Sequence, residues 1–253
     1  MDDILRDLRI GACFLTRLPV PWPQAAPADG LARAMRLFPV VGAGIGLGAG
    51  LVWALALWCG APPLVAALLA LAGQMVLTGA LHEDGLADVA DGFGAGRDRE
   101  RTLEIMRDSR IGSYGTLALV LSAGLRAAAL AALAGPGGSW SGAAAMVAAG
   151  AVSRAACPAL LAWLPPARPD GLGAGAGALP REALITALGL ALCFALLLLK
   201  PWPALAALGL GLLATVALAM VARRRIGGQT GDVLGAGQQL VEIAVLCTAA
   251  AAA

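Results

Sequence analysis

The chain of 253 residues has few of the residues that keep a protein soluble in water, since only 13% are charged and 59% are hydrophobic. So little polar surface cannot cover a water-soluble globule of this length, and the mean hydropathy of +0.80 agrees. The formal net charge of only +2 indicates no nucleic-acid partner. The composition therefore indicates an integral membrane protein whose main partner is the lipid bilayer.

The chain also lacks the clusters of residue types that bind zinc or form disulfide frameworks. It contains one histidine, His82, and its five cysteines are spread singly without a CxxC motif. This pattern argues against a zinc site of the usual spacing and against a disulfide framework.

Long apolar runs, by contrast, are abundant. A spanning helix needs about 20 mostly apolar residues. Six runs meet this length. A seventh at the C-terminus is marginal, and the sequence leaves open whether it spans fully or only dips into the membrane. The runs are residues 40–59, 62–80, 115–134, 142–164, 183–199 and 204–221, with 237–253 as the marginal one. The predicted fold class is all-α: one integral membrane domain over residues 1–253, with six to seven spanning helices.

Basic residues are concentrated in alternate connections, which predicts the orientation of the bundle. Arginines occur in residues 1–39, 81–114 and 222–236 and at Arg168 and Arg181, whereas Lys200 is the only basic residue in the opposite connections. Cytoplasmic loops carry an excess of Lys and Arg, so the arginine-rich side is expected to be cytoplasmic, together with the N-terminus.

Residues 1–39 are interpreted as an interfacial N-terminal segment. The stretch IGACFLTRLPVPWP is too short to span, and its closely spaced prolines end any helix. We expect an interfacial or half-inserted helix at about residues 2–17, with Arg17 facing protein.

The glycine-rich stretch GAGIGLGAG (Gly42 to Gly50) follows this segment. Its small-xxx-small spacing is typical of closely packed membrane helices. A phosphate-binding loop is disfavoured, because the stretch lies inside an apolar span and does not end in GK[ST].

Half of all acidic residues lie in the connection 81–114, and three aspartates there share one helical face. Asp84, Asp88 and Asp91, in HEDGLADVADGFG, follow the spacing i, i+4 and i+7. Stacked carboxylates repel one another unless they are neutralised, and hard oxygen ligands favour Mg²⁺ or Mn²⁺. We predict an acidic helix at the cytoplasmic face whose three aspartates bind Mg²⁺ and act in catalysis. The alternative is a solvated polar helix, and His82 is expected to point away from the aspartate face.

Arginines follow the aspartates in RDRERTLEIMRDSRIGSYG. Guanidinium groups match phosphate oxygens and stay charged, so arginines beside a metal cluster suit a diphosphate. We expect Arg107, Asp108 and Arg110 to bind substrate within a cytoplasmic catalytic loop, residues 81–114. The arginines before them are explained by the orientation signal alone.

A second polar segment, residues 222–236, contains RRRIGGQTGDVLGA. Glycine-rich loops at a membrane face commonly bind ligands, although a plain turn remains the alternative. We expect Gln229, Thr230 and Asp232 to bind substrate. Asp232 and Glu242 should face the aspartates rather than lipid, because an unpaired carboxylate at membrane depth is costly.

Together these motifs resemble one known family. FLTRLPVP, FPVVGAGIGLGAG, HEDGLADVADG, RTLEIMRDSRIGSYG, AVSRAACP and GGQTGDVLGA occur in the order and spacing of the cobalamin synthase family, the adenosylcobinamide-GDP ribazoletransferases. The resemblance covers nearly the whole chain. Where the family often reads HLDGLADT, this chain has Glu83 and Val89, and the three aspartates are kept. We assign Arg17, in the first motif, to substrate binding.

The resemblance implies a polytopic, Mg²⁺-dependent enzyme of the bacterial inner membrane in the last steps of vitamin B12 assembly. Such an enzyme joins adenosylcobinamide-GDP to α-ribazole or its 5′-phosphate and releases GMP. The ribazole 5′-hydroxyl would attack the phosphorus bearing cobinamide, with Mg²⁺ on the aspartates. One aspartate, or Glu83, would accept the hydroxyl proton. The sequence leaves the oligomeric state open, a homo-oligomer included.

Two other classes of protein fit the sequence less well. A CDP-alcohol phosphotransferase would carry DGxxAR followed by GxxxDxxxD, but Asp88 stands where the arginine is expected. A transporter would carry acids deep within its spans. Only Arg126, Arg154 and Glu242 are charged there, which makes transport a distant alternative.

Overall fold

The computed structural model describes residues 2–23, 29–135, 138–171 and 175–252. Over these residues the chain is helical and contains no strand, only an isolated β-bridge between Pro166 and Gln229. All five cysteines are free thiols. The predicted all-α fold class is confirmed.

The α-helices are numbered in chain order, with a 3₁₀ turn at Met35–Leu37 between the second and the third. They are α1 (Asp2–Leu15), α2 (Gly30–Ala34), α3 (Phe38–Trp58), α4 (Pro63–Thr78), α5 (Leu81–Ala95), α6 (Arg99–Ile105), α7 (Ser113–Ala132), α8 (Gly138–Arg154), α9 (Ala156–Trp163), α10 (Arg181–Leu198), α11 (Pro201–Ile226) and α12 (Gly231–Ala251). Within the described ranges, six segments are long and apolar enough to cross a membrane, and the bent pair of α4 and α5 gives up to seven. This agrees with the predicted polytopic bundle.

The helix ends differ from the predicted spans in two places that matter for the site. α11 continues to Ile226, so its last turn holds Arg223, Arg224 and Arg225 beside the negative end of the helix dipole. The polar loop predicted over residues 222–236 is therefore only residues 227–230. α12 is 21 residues long and apolar enough to span, which favours a full span for the C-terminal segment that the sequence left open.

A bend of 93° separates α4 from α5. The chain turns at Gly79 and Ala80, whose φ angles of +68° and +56° are both left-handed. Glycine adopts this conformation freely, whereas Ala80 is strained in it. The bend turns α5 out of the line of α4, and we treat α5 as the predicted acidic helix, outside the spanning segments.

The small residues of α3 provide the close helix interface that the sequence predicts. A Cβ atom at Gly42 would lie 2.8 Å from the carbonyl carbon of Gly150 on α8, and one at Gly46 would lie 2.7 Å from that of Met146. No larger side chain fits without moving the helices apart. The glycine-rich stretch is thus a packing surface within the bundle.

Candidate active site

The carboxylates of α5 lie in environments that differ in burial. Asp84 is exposed, Asp88 is half-buried and Asp91 is buried. Asp84 and Asp88 line a cavity of about 610 Å³, which we call the transfer cavity. Burial, followed by the neighbouring carboxylates of Asp84, Asp232 and Asp91, raises the pKa of Asp88 to about 7. The negative charges of this cluster are therefore poorly compensated by the protein itself.

The segment after α6 lines the same transfer cavity with Arg107, Asp108 and Arg110. A guanidinium nitrogen of Arg107 lies 2.8 Å from the Asp170 carboxylate, and one of Arg110 lies 2.6 Å from the Asp108 carboxylate. Hydrogen bonds from Arg110 lower the pKa of Asp108 to about 2. The structure thus brings the predicted Arg107 and Arg110 together with two of the three aspartates, Asp84 and Asp88, around one cavity.

Asp91 holds the N-terminus of α7. Its Oδ2 accepts a hydrogen bond of 2.7 Å from the Gly112 amide, and its Oδ1 accepts one of 2.9 Å from the Gly115 amide. A Cβ atom at either glycine would collide with the carboxylate, which explains the two glycines of the IGSYG motif. A negative charge at a helix N-terminus is stabilising, so this contact fixes α7 against α5.

The predicted three-aspartate metal site stays a prediction. Among the residues that the structure describes, no group of three His, Cys, Asp or Glu side chains is arranged to hold a metal ion. Asp84 and Asp88 share the transfer cavity, whereas both oxygens of Asp91 already accept amide hydrogens.

Glu83 faces the interior of the bundle and joins a buried ionic network. Its Oε1 accepts hydrogen bonds from Arg126 at 3.2 Å and from Gln239 at 3.1 Å. Arg126 also contacts Glu242 at 3.1 Å, and Arg154 contacts the other oxygen of Glu242 at 2.9 Å. The expectation that Glu242 faces the aspartates is wrong, because two arginines neutralise it within the bundle.

Amide side chains complete this network. Gln74 on α4 donates to Glu242 at 2.8 Å, and Gln238 also donates to Glu242. The network therefore joins α4, α5, α7, α8 and α12. The sequence indicated such a network, because charges of both signs lie within apolar spans and must be paired there. It did not show which residues pair with which.

The connection between α11 and α12 is paired with a second loop. The Gln229 amide donates to the Pro165 carbonyl at 2.8 Å, and the Ala167 amide donates to the Gln229 carbonyl at 2.8 Å. A Cβ atom at Gly228 would lie only 3.0 Å from the carbonyl carbon of Pro165. Position 228 therefore requires glycine, because any side chain would force the two loops apart. The Gln229 side chain is buried, and within the described part of the chain its amide atoms have no hydrogen-bond partner. Such groups are rare in folded proteins, which supports Gln229 as a ligand-binding residue.

Thr230 and Asp232 begin α12 and lie against the acidic helix. Thr230 is the N-cap of α12, and its hydroxyl accepts a hydrogen bond of 3.4 Å from the Val233 amide. The same hydroxyl donates a hydrogen bond of 3.0 Å to Asp232 Oδ2. A Cβ atom at Gly85 would lie 2.8 Å from the Asp232 carbonyl oxygen. Asp232 therefore packs beside α5 as predicted, although the two segments are far apart in the chain.

Arg168 is a candidate site residue that the sequence did not single out, because its positive charge served only as an orientation signal. Its Nη2 lies 3.4 Å from Asp232 Oδ2, although the two residues are 64 positions apart in the sequence. Nε and Nη1 of Arg168 are buried and have no hydrogen-bond partner in the described ranges. No spacing in the sequence could have found this residue, since two separate loops must pair to bring it here.

Three further arginines hold the segments at the two ends of the acidic helix. Arg225 donates to the carbonyls of Phe93 and Gly96, at 2.7 and 2.6 Å, at the C-terminal end of α5. Arg99 donates to the carbonyls of Ile226 and Ala167. Arg17, predicted to bind substrate, packs against Gly79 at the bend before α5.

A second, mostly apolar cavity of about 200 Å³ also reaches the acidic helix. Asp84, Asp232 and His82 line it together with residues of α1, the 3₁₀ turn and α3. His82 is buried and lines this second cavity beside Asp84. It does not line the transfer cavity that Asp84 shares with Asp88, so its expected position off the aspartate face stays a prediction.

Comparison with known proteins identifies the family of this chain. The family model described as cobalamin-5-phosphate synthase matches residues 7–250. The chain belongs to the cobalamin-5-phosphate synthase family. Three relatives carry the name adenosylcobinamide-GDP ribazoletransferase. The one from Bradyrhizobium diazoefficiens is 51% identical over 98% of this chain and 95% of its own length. The one from Sinorhizobium medicae is 48% identical over 97% of this chain and 94% of its own length. The one from Rhizobium etli is 46% identical over 100% of this chain and 99% of its own length.

No solved structure matches this member of the cobalamin-5-phosphate synthase family. Membership confirms the resemblance drawn from the motifs, and the helices show a multi-pass membrane protein. It also argues against the phosphotransferase and transporter alternatives.

Proposed function

We propose that this protein is an adenosylcobinamide-GDP ribazoletransferase, which joins adenosylcobinamide-GDP to α-ribazole or its 5′-phosphate and releases GMP. The observation that carries the proposal is the match of relatives bearing that name over nearly their whole length. The transfer cavity supports it, because arginines and carboxylates line it together, as the transfer of a diphosphate-linked group requires.

The donor set of the transfer cavity fits Mg²⁺, a hard cation that prefers carboxylate oxygens. Asp84 and Asp88 would hold the ion, and Asp91 would contribute only through lone pairs left free by its two amide hydrogen bonds. When bound, the ion would neutralise negative charge on the diphosphate. The raised pKa of Asp88 supports this assignment, because a divalent cation would compensate the excess negative charge there.

Three arginines would bind the diphosphate. Arg107 and Arg110 line the transfer cavity and are paired only with solvent-exposed carboxylates. Exposed ion pairs contribute little stability, so these guanidinium groups can exchange their partners for phosphate oxygens at low cost. Arg168 lies beside Asp232 with two donor atoms unpaired, and guanidinium geometry matches a phosphate.

In the proposed step, a ribose hydroxyl oxygen of the ribazole attacks the phosphorus that bears cobinamide. It is a hydroxyl other than the 5′-hydroxyl, because the 5′-phosphate would block that position. The bond from that phosphorus to the GMP oxygen breaks, and GMP leaves with the bonding electrons. We assign the hydroxyl proton to Asp232, which lines the second cavity and is oriented by the Thr230 hydroxyl. Glu83 is neutralised by Arg126 and has a positioning role in this account.

We propose a bacterial inner-membrane location with the N-terminus, α5 and α6 on the cytoplasmic side. The distribution of arginine supports this orientation, because Lys200 alone lies in the opposite connections. A cytoplasmic site also suits a substrate that carries GDP.

The purified protein in liposomes with Mg²⁺ tests the reaction. Adenosylcobinamide-GDP and α-ribazole together should yield GMP and a cobalamin in equal amounts, and omission of either substrate should abolish both products. GMP release that does not depend on α-ribazole would indicate a hydrolase and would contradict the proposal.

A further inference from the structure

The second cavity is not explained by the binding of a diphosphate. It has a volume of about 200 Å³ and is lined mainly by apolar side chains of the N-terminal segment, with Leu234 of α12. Phe14, Leu31, Met35 and Phe38 form the part that belongs to the N-terminal segment. We call it the aromatic cavity.

Two aromatic rings give this cavity a flat apolar surface. The rings of Phe14 and Phe38 are stacked, with centroids 5.9 Å apart and an angle of 19° between their planes. Phe38 is fully buried, and Phe14 is partly exposed. Flat aromatic ligands, nucleic-acid bases among them, bind to such surfaces by stacking.

The polar residues of the aromatic cavity lie at the aspartate site. Asp84 lines both the aromatic cavity and the transfer cavity, and Asp232 lines the aromatic cavity. A ligand with an aromatic end and a hydroxyl-bearing end could therefore place its hydroxyl groups beside these carboxylates. His82 also lines the cavity, and in the described ranges no hydrogen bond to its ring is found, so it is available to a ring nitrogen.

We infer that the aromatic cavity binds the base of the ribazole substrate, a flat, uncharged, fused aromatic ring, with the attached ribose at Asp84 and Asp232. This inference rests on the proposed function, which supplies a substrate of that chemistry. Asp84 lines both this cavity and the transfer cavity, so a base held here would place its ribose next to the diphosphate.

The alternatives for this cavity fit less well. A corrin ring is far too large for 200 Å³. Guanine carries hydrogen-bonding groups on more than one edge. The carboxylates at one end of the cavity could pair with only one edge, and the apolar walls would leave the other groups unpaired at high cost. A lipid acyl chain cannot form hydrogen bonds, so it would leave the two carboxylates and the imidazole of this cavity without partners.

Substitutions in the wall of the cavity test the inference. Phe14→Leu removes the flat ring but keeps an apolar side chain, Phe14→Tyr keeps the ring, and Leu31→Trp narrows the cavity. Phe194→Leu, on the spanning helix α10, is the matched control, since it makes the same change away from both cavities. Each purified variant is assayed for GMP release over a range of each substrate. Binding of α-ribazole alone is measured by calorimetry.

We expect Phe14→Leu and Leu31→Trp to raise the KM for α-ribazole by about tenfold, within the range for loss of a base–aromatic stack, with the KM for adenosylcobinamide-GDP unchanged. Calorimetry should show the same loss of α-ribazole affinity. Phe14→Tyr and Phe194→Leu should behave like the unsubstituted protein.

A raised KM for adenosylcobinamide-GDP alone would overturn the inference and assign the cavity to that substrate. Unchanged KM values for both substrates would exclude the cavity as a substrate site. If the unsubstituted protein released no GMP, the proposed function would fail. The calorimetry would then still decide whether α-ribazole binds and whether Phe14→Leu weakens its binding.

Discussion

Glu83, the residue before Asp84, forms a buried ion pair with Arg126, with 3.2 Å between the guanidinium nitrogen and the carboxylate oxygen. Through Arg126 the acidic helix is linked to Glu242 on α12, and through Glu242 to Arg154 on α8. The position of the aspartates thus depends on charges held inside the membrane bundle.

Removal of the central charge of this network should destabilise the protein. Glu242→Gln leaves Arg126 and Arg154 without their shared carboxylate, and breaking a buried ion pair typically costs about 3–5 kcal/mol. Thermal unfolding in detergent should show a clearly lower midpoint. Glu100→Gln is the control, because Glu100 is exposed and only weakly paired with Arg99. Equal midpoints for the two variants would show that the network does not stabilise the bundle.

The contact of Asp91 with α7 can be tested with two glycines of that helix. Gly115→Ala places a methyl group against the Asp91 carboxylate, whereas nothing lies within 4 Å of a Cβ atom at Gly124. We expect Gly115→Ala to lower stability by about 1–3 kcal/mol, because the carboxylate loses its amide partner. Gly124→Ala should be neutral or stabilising by about 0.5–1 kcal/mol. A Gly115→Ala variant as stable as Gly124→Ala would argue against this contact.

Arg168 should contribute to the binding of the diphosphate substrate. Arg168→Gln removes a charge with two unpaired donor atoms, and a charge-assisted hydrogen bond of about 1.5–3 kcal/mol corresponds to about 10- to 150-fold in affinity. We expect the KM for adenosylcobinamide-GDP to rise accordingly and that for α-ribazole to stay unchanged. Arg181→Gln, at an exposed arginine, is the control. Similar kinetics for the two variants would remove Arg168 from the site.

The sequence predicts what depends on periodicity and on residue type. The apolar runs predict the spanning helices to within a few residues, and the spacing of Asp84 and Asp88 places both carboxylates on one cavity. The glycines at Gly42 and Gly46 indicate a close helix interface, which the structure contains.

What the sequence could not predict depends on pairings between distant segments. Asp91 binds backbone amides, which every residue except proline carries, so no residue type marks its partner. Arg168 reaches the site only because the loop at Pro165 pairs with Gln229. Glu242 was expected at the aspartates, but its arginine partners come from two other helices.

The orientation of the bundle can be tested by cysteine labelling in intact cells. In a variant whose five native cysteines are replaced, Arg97→Cys and Lys200→Cys introduce single thiols at exposed positions. A membrane-impermeant reagent should label the thiol at position 200 and leave the one at position 97 unlabelled until the membrane is opened. The reverse pattern would place the acidic helix outside the cytoplasm, where a GDP-linked substrate is not expected.

The central claim is that group transfer takes place at Asp84 and Asp88, and GMP release by charge-neutral variants tests it most directly. Asp84→Asn and Asp88→Asn should each lower the rate by at least about a hundredfold, the low end of the effect of one preorganised electrostatic group, while the thermal midpoint stays near that of the unsubstituted protein. Glu104→Gln, at an exposed carboxylate paired with Arg101, should keep full activity. Near-normal GMP release by both aspartate variants would contradict the account.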